Sequence, residues 1–143
     1  MPSNRELKTM NGVHRALLKI SGGRFGWTVF KMPVLELTTT GRRSREPRSV
    51  MLTSPYSEGG NPVIVASKGG DDTHPSWFLN LQENPNVLVT TKNSVDQKMT
   101  ARIALVDERA RLWPIIAEQF DNYAGYQNKT NREIPLVILE PPV

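Results

Sequence analysis

The 143-residue chain predicts an α+β, mainly β domain: an antiparallel barrel of short strands with helices laid over it. Three features point there. Short β-branched or apolar runs recur at close spacing, turn residues separate several of them, and helical segments are inserted between strands without regular alternation. A parallel sheet would need a crossover helix after nearly every strand. The length fits one domain with a sizeable core.

In chain order, Ser3 and Glu6 have capping-box spacing, and Met10, Val13, Leu17 and Ile20 then form one apolar stripe. Gly22-Gly23 ends that segment, so residues 1–23 are predicted as an N-terminal amphipathic helix and 24–143 as the barrel domain. Arg5, Lys8, Arg15 and Lys19 spread over the rest of the helix, making it a candidate for peripheral contact with anionic lipid as well as for packing over a barrel end.

Strands are predicted at 34–40, 49–54 and 62–67, with a turn at Gly59-Gly60-Asn61. A helix is predicted over 75–83, with Pro75 in an allowed first-turn position and Asn84-Pro85 as the stop. A hairpin over 87–91 and 98–106 turns at Asn93-Ser94. Asp107 is expected to cap a further helix through Phe120, with Pro114 near its start or kinking it. A last strand is predicted at 134–139.

Composition narrows the function. With 38% hydrophobic and 22% charged residues the chain is globular rather than disordered. No apolar run approaches a bilayer span and no signal peptide is visible, so a cytoplasmic protein is expected, with membrane association left to the N-terminal helix. Zero cysteines exclude disulfides and thiol chemistry. His14 and His74 are far apart, and no metal-ligand spacing, nucleophile elbow, Walker pattern or Rossmann glycine fingerprint is present. No metal is expected, and an enzyme built on this chain would need a cofactor to carry its reaction. The net charge of +4 favours an anionic partner. A nucleic-acid-binding barrel is disfavoured, because the arginines cluster in a turn while Trp77 and Phe78 fall on a helix, leaving no stacking platform on strands.

Two segments carry the most chemistry. TTTGRRSREPR (38–48) crowds Arg42, Arg43, Arg45 and Arg48 into one turn, an array that repels itself unless water or an anion offsets it. VASKGGDDTHPSWFLNLQENP (65–85) follows a strand with glycines that let main-chain N–H groups approach a ligand, then opens a helix. Together they predict a pocket for a multiply anionic small molecule with an aromatic wall. Asp71-Asp72 either weakens that pocket or caps the helix, and His74 either meets the anion or starts the helix.

The strings LTTTGRRSREPR, VIVASKGG, HPSWFLNLQENP and YAGYQNKTNREIPLVIL, in this order over about Val34 to Pro141, resemble the deazaflavin-dependent nitroreductases of actinobacteria. The resemblance implies a split β-barrel related to flavin reductases, of the FMN-binding type, holding coenzyme F420 (8-hydroxy-5-deazaflavin) in place of FMN. That coenzyme has a flat ring and a tail of phosphodiester and glutamates. By resemblance, Arg42, Arg43, Ser44 and Arg48 hold the tail. Val50, Met51, Leu52 and Thr53 run beside the coenzyme, with Val65, Ala66, Ser67 and Lys68 opposite. Ser76, Trp77, Phe78, Leu79 and Asn80 complete the pocket, and Tyr123 flanks coenzyme and substrate. The implied activity is hydride transfer from the reduced coenzyme to a quinone, nitroaromatic or similar conjugated small molecule. Tyr123, Tyr126 and Ser67 are the candidate hydrogen-bond donors to the acceptor. Phe120 and Thr53 replace aromatics of the nitroimidazole-activating members, which makes a quinone the safer acceptor. The alternative on the same barrel is a non-catalytic carrier of a fatty acid or other amphiphile.

Overall fold

In the computed structural model, which describes residues 28, 29 and 32–142, eight strands form one antiparallel sheet accompanied by three α-helices. The predicted N-terminal helix over 1–23 and the predicted domain start at 24 lie outside the described residues.

The strands are β1 (Thr28–Val29), β2 (Met32–Thr40), β3 (Pro47–Thr53), β4 (Tyr56–Glu58), β5 (Asn61–Val65), β6 (Asn86–Thr90), β7 (Gln97–Ile103) and β8 (Leu136–Glu140). The helices are α1 (Ser76–Glu83), α2 (Val106–Gln119) and α3 (Asp121–Asn128), and a 3-10 turn covers Lys68–Gly70. Sheet order runs β1-β2-β6-β7-β8-β5-β4, and β3 pairs with β2 over seven residue pairs from Val34↔Thr53 to Thr40↔Pro47. β4 therefore ends the sheet on one side, while β1 and β3 each pair only with β2 at the other end of the order; β3 and β4 follow each other in the chain through Ser54-Pro55. No ladder joins them among the described residues. Instead Ser54 closes the corner: its N–H donates to Pro33 O at 2.8 Å and its hydroxyl donates to Val63 O at 2.9 Å.

Two apolar clusters lie on opposite faces of the central strands. Ile64, Val137 and Leu139 join Leu35, Leu37, Phe78, Leu81 and Val89 under α1. Val63, Val65, Leu136 and Ile138 join Leu112, Ile116 and Tyr123 under α2 and α3. β5 and β8 are thus buried on both faces, which explains why PVIV and LVIL read as continuous apolar runs.

The structure corrects several local expectations. The strand predicted to 106 stops at Ile103, and α2 begins at Val106. Asp107 lies inside its first turn; the entry is held by Leu105 N–H donating to Glu108 Oε1 at 2.9 Å. Pro114 sits well inside α2 without ending it. Its missing N–H orphans the carbonyl of Ala110, which is exposed and can bond water. The chain breaks at Phe120, where φ −132° and ψ 95° leave the helical region, and α3 starts at once. Asp71 does not cap α1: its Oδ1 accepts from Thr73 N–H at 3.0 Å, and Pro75 precedes the helix with no side-chain cap. Among the described residues no helix is long and apolar enough to cross a membrane, and no cluster of three metal-ligating side chains occurs.

Candidate active site

A cleft of about 740 Å³ opens between β3, the 65–69 segment, the start of α1 and one side of α3. Of the residues predicted from the sequence, Arg42, Arg43, Ser44, Arg48, Val50, Met51, Leu52, Thr53, Val65, Ser67, Lys68, Ser76, Trp77, Asn80, Tyr123 and Tyr126 line it. Ala66, Phe78 and Leu79 do not. Ala66 and Phe78 are buried in the core under α1, since the period of their elements turns them away from the cleft, and Leu79 points off the lining face. Gly69 lines it too, as the glycines after the strand led one to expect, while Met32, Gly41, Ser49, Pro75 and Asn122 line the cleft without having been assigned to it. Gly41, Gly69 and Pro75 lie inside the two segments already singled out, but nothing local in the sequence marks Met32 or Asn122.

The cleft has two chemically different ends, set by the length of β3. Arg48 begins this strand and Thr53 ends it, about 17 Å apart at strand rise. At the Arg48 end, the turn from Gly41 to Glu46 is closed by Gly41 N–H to Glu46 O (2.8 Å) and Arg45 N–H to Gly41 O (2.9 Å). A Cβ on Gly41 would lie 2.5 Å from Ser44 Oγ and 3.2 Å from Glu46 O, so the turn packs tightly and a side chain there would make Ser44 rotate away. Arg45 takes φ 62° and stays exposed and off the cleft.

Arg42 is fixed from α1. Its Nη1 donates to Asn80 Oδ1 at 2.9 Å, and its main-chain N–H donates to the same oxygen at 3.2 Å. The Asn80 amide donates in turn to Thr39 Oγ1 at 3.1 Å. Asn80, buried, therefore brackets the arginine turn to α1, and its polar atoms are already engaged within the protein. Arg43, Arg48 and Lys68 complete the cationic end. Among the described residues, no ion pair with a carboxylate forms at Arg42, Arg43, Arg48 or Lys68; Lys68 Nζ has only Thr73 Oγ1 at 3.3 Å.

Lys68, Gly69 and Gly70 all have positive φ (45°, 64° and 88°), a succession that curls the chain around the cleft floor. A Cβ on Gly70 would stand 2.7 Å from Tyr126 O, so the turn lies directly against α3. Ser67 is buried on the cleft wall, and its hydroxyl has no protein partner among the described residues. Beneath this segment, Arg132 donates to Asp71 O (2.8 Å), Ser67 O (2.9 Å) and Ala66 O (3.2 Å). His74 neither meets the cleft nor starts α1. It packs on Phe78 with ring centroids 4.7 Å apart, and its Nδ1 lies 3.1 Å from Arg132 Nη1. Burial, then the neighbouring Arg132 charge, lower its pKa, so the imidazole is neutral and Nδ1 accepts.

The opposite end is uncharged. Tyr123, 4% exposed, has its hydroxyl 3.2 Å from Thr53 Oγ1 and 3.4 Å from Met32 Sδ. Burial raises its pKa, so it keeps its proton. Its ring meets Tyr126 edge-on at 6.0 Å and Phe120 edge-on at 6.4 Å. Phe120 supports Tyr123 from behind and is not on the cleft wall. Between the two ends the wall is Val50, Leu52, Val65 and Trp77. The arrangement suits a ligand with an anionic tail and a flat apolar body, with hydroxyl donors beyond the body.

The model of the family described as F420H(2)-dependent quinone reductase matches residues 11–141. An F420H(2)-dependent quinone reductase of Mycobacterium tuberculosis is 37% identical over 131 residues, 89% of this chain and 87% of that protein. Among solved structures, an F420-H2 dependent reductase (FDR-A) is 42% identical with a TM-score of 0.66, over 76% of this chain and 94% of that one. A chain solved as a domain-swapped dimer is 38% identical with a TM-score of 0.69, over 92% and 99%. By the extent of these matches, the chain belongs to the F420H(2)-dependent quinone reductase family.

Proposed function

We propose that this cleft binds coenzyme F420 with its anionic tail on Arg42, Arg43, Ser44, Arg48 and Lys68, and presents a quinone to the coenzyme ring at the Tyr123 end. The chain is an F420H(2)-dependent oxidoreductase, as its family is. The observation that carries the spatial assignment is the polarity of the cleft: at one end of β3, cations without a carboxylate partner among the described residues; at the other, hydroxyls and a thioether; and an apolar wall between. The donor set fits the coenzyme. Guanidinium forks and an ammonium match phosphate and carboxylates, and Trp77, Val50 and Leu52 match a flat ring. We read the sheet as the split β-barrel predicted from the sequence, with Ser54-Pro55 as the corner where its margins approach.

When bound and reduced, the coenzyme supplies a hydride from its ring. The chain's own residues supply position and charge. Desolvation behind Trp77 and Leu52 strengthens hydrogen bonds to the acceptor. One hydride and one proton convert a quinone to a hydroquinone, so an oxygen of the acceptor gains negative charge and needs a donor. Tyr123 is held neutral, and its hydroxyl lies between Thr53 Oγ1 and the weak sulfur acceptor of Met32; with Thr53 donating to it, turning the Tyr123 proton from the sulfur to a quinone oxygen exchanges a poor hydrogen bond for a better one. Tyr126 and Ser67 are the other donors within the cleft.

The test is a fluorescence titration with oxidised coenzyme F420 beside one with FMN, followed by turnover of the reduced coenzyme with a water-soluble naphthoquinone. Saturable binding of the deazaflavin alone, with quinone-dependent oxidation, is the expected result. Preference for FMN, or copurified lipid with no coenzyme binding, would overturn the assignment.

A further inference from the structure

We propose that Arg132 is the positioning residue of the tail site: its guanidinium gathers the carbonyls of Ala66, Ser67 and Asp71 beneath the Lys68 turn and holds a positive charge there with no carboxylate in ion-pair contact among the described residues. The inference rests on the coenzyme reading above and extends it to a residue that does not line the cleft.

The geometry is specific. All five N–H bonds of the guanidinium are directed: Nε to Asp71 O, Nη1 to Ala66 O and His74 Nδ1, and Nη2 to Ala66 O and Ser67 O. Arg132 is itself fixed, its N–H donating to Thr130 Oγ1 at 3.3 Å and its carbonyl accepting from Gln127 Nε2 at 2.7 Å. An arginine used only as a structural brace commonly meets a carboxylate, as Arg102 does with Glu108 and Glu140. Here the nearest carboxylates, Asp71 and Asp72, act on Arg132 only at longer range, and Asp71 turns its oxygen to Thr73. The carbonyl dipoles orient the guanidinium without forming an ion pair, and Asp71 and Asp72 offset its charge only in part and from longer range. That charge then adds to Lys68 at the point where an anionic tail would lie.

His74 provides a readout that a purely structural brace would not move. The charged groups acting on Arg132 are Asp71 and Asp72 on the same segment, and on His74 it is Arg132; Lys68 acts on Asp71, and Lys129 lies beside Gly70 at the end of α3. While Arg132 donates to Nδ1, His74 is neutral across the physiological range. Burial, the larger cause of its lowered pKa, persists in Arg132→Gln, but the Arg132 charge that also opposes protonation is gone, so His74 gains a proton more readily as the pH falls and restores a positive charge to the same place. Below about pH 6.5, the ordinary histidine value, the variant should therefore recover affinity that it lacks at about pH 8.

The experiment has two arms. In the first, NMR titration of the His74 ring in wild type and Arg132→Gln needs no coenzyme, with His14→Gln assigning the other signal. His74 titrates below 6.5 in wild type and moves upward in the variant. In the second, coenzyme fluorescence titrations run from about pH 5.5 to about pH 8. Arg132→Gln binds about tenfold more weakly at the alkaline end, regains part of the loss at the acid end, and loses that recovery when His74→Gln is added. If Arg132→Gln does not fold, Arg132→Lys takes its place: the charge without the fork keeps affinity within about threefold of wild type. Wild-type His74 titrating at or above 6.5, unchanged affinity in Arg132→Gln, or a tenfold loss in a folded Arg132→Lys would each overturn the proposal. Wild type failing to bind the coenzyme would sink the function reading, while the NMR arm would still report on the Arg132–His74 contact.

Discussion

Arginine is used in two opposite ways in this molecule. At the far side of β7, Arg102 Nε lies 2.8 Å from Glu140 Oε1 and its Nη2 lies 3.0 Å from Glu108 Oε2, a cation with two carboxylates. Arg111 likewise meets Glu58 at 3.2 Å. At the cleft, Arg42, Arg43 and Arg48 stand together and no carboxylate pairs with any of them among the described residues. The first region neutralises charge inside the protein, while the second leaves it to be neutralised from outside. A guanidinium is therefore read as ligand-binding here from what is missing around it rather than from its presence.

The comparison breaks most readily at the unpaired end. Removing two of those cations in Arg48→Ala/Lys68→Ala should weaken coenzyme binding by about 100-fold at low salt, and the gap to wild type should narrow as ionic strength rises. Thermal unfolding should hardly change, because no protein contact of consequence is lost. Retained affinity in a fluorescence titration would mean that the tail lies elsewhere. Next, Asn80→Ala leaves Thr39 and the Arg42 main-chain N–H without their buried partner. A stability loss of about 2 kcal/mol in urea unfolding is expected, together with weaker coenzyme binding as the turn loosens. A stability loss with coenzyme affinity intact would separate the bracket from the site.

At the uncharged end, Tyr123→Phe should slow quinone reduction about tenfold while leaving coenzyme affinity near wild type. An unchanged rate would transfer the donor role to Tyr126. The smallest effect belongs to the paired region. Arg102 is 36% exposed in its side chain, and Arg102→Met should cost less than about 1 kcal/mol, with no effect on coenzyme binding. Its signature is in acid. The hydrogen bond from Arg102, followed by that from Leu105 N–H, holds the Glu108 carboxyl down to about 2 from an ordinary 4.5. The unfolded chain binds this proton first, so the contribution is complete above about pH 4.5 and is lost as the pH falls through about 2. Thermal unfolding between these limits should be less acid-sensitive in Arg102→Met than in wild type.

Much of this was legible in the chain, for identifiable reasons. β5, α1 and β8 announce themselves because their burial is written locally, as apolar runs between Gly, Pro and Asn. β4 does not: three residues become a strand only because Tyr56 and Glu58 find Val63 and Asn61 across the turn. The end of α2 at Phe120 was expected, but the restart as α3 at Asp121 was not, because no Gly or Pro separates the two helices and only the backbone turn at Phe120 divides them. In the site, the arginine turn and the Ser67–Gly70 segment stand out by composition. Asn80 was visible as a site residue, but its job of tethering Arg42 depends on a residue 38 positions away. Arg132 had no local signal. Between Asn131 and Glu133 it reads as a surface arginine, and the carbonyls it holds are 61 to 66 positions earlier.

Gly70 has a consequence for how such a reductase can be altered. The turn bearing Lys68 and the helix bearing Tyr123 and Tyr126 touch with no clearance, since even a methyl group would collide with the Tyr126 carbonyl. On the proposed assignment, the grip on the coenzyme tail and the donors offered to the acceptor therefore shift together as one part. Widening the cleft by moving α3 would disturb the anchor at the same time. Breadth toward bulkier acceptors has to come from the facing wall at Val50 and Leu52, since Met32 and Thr53 hold the Tyr123 hydroxyl and cannot change size without moving it.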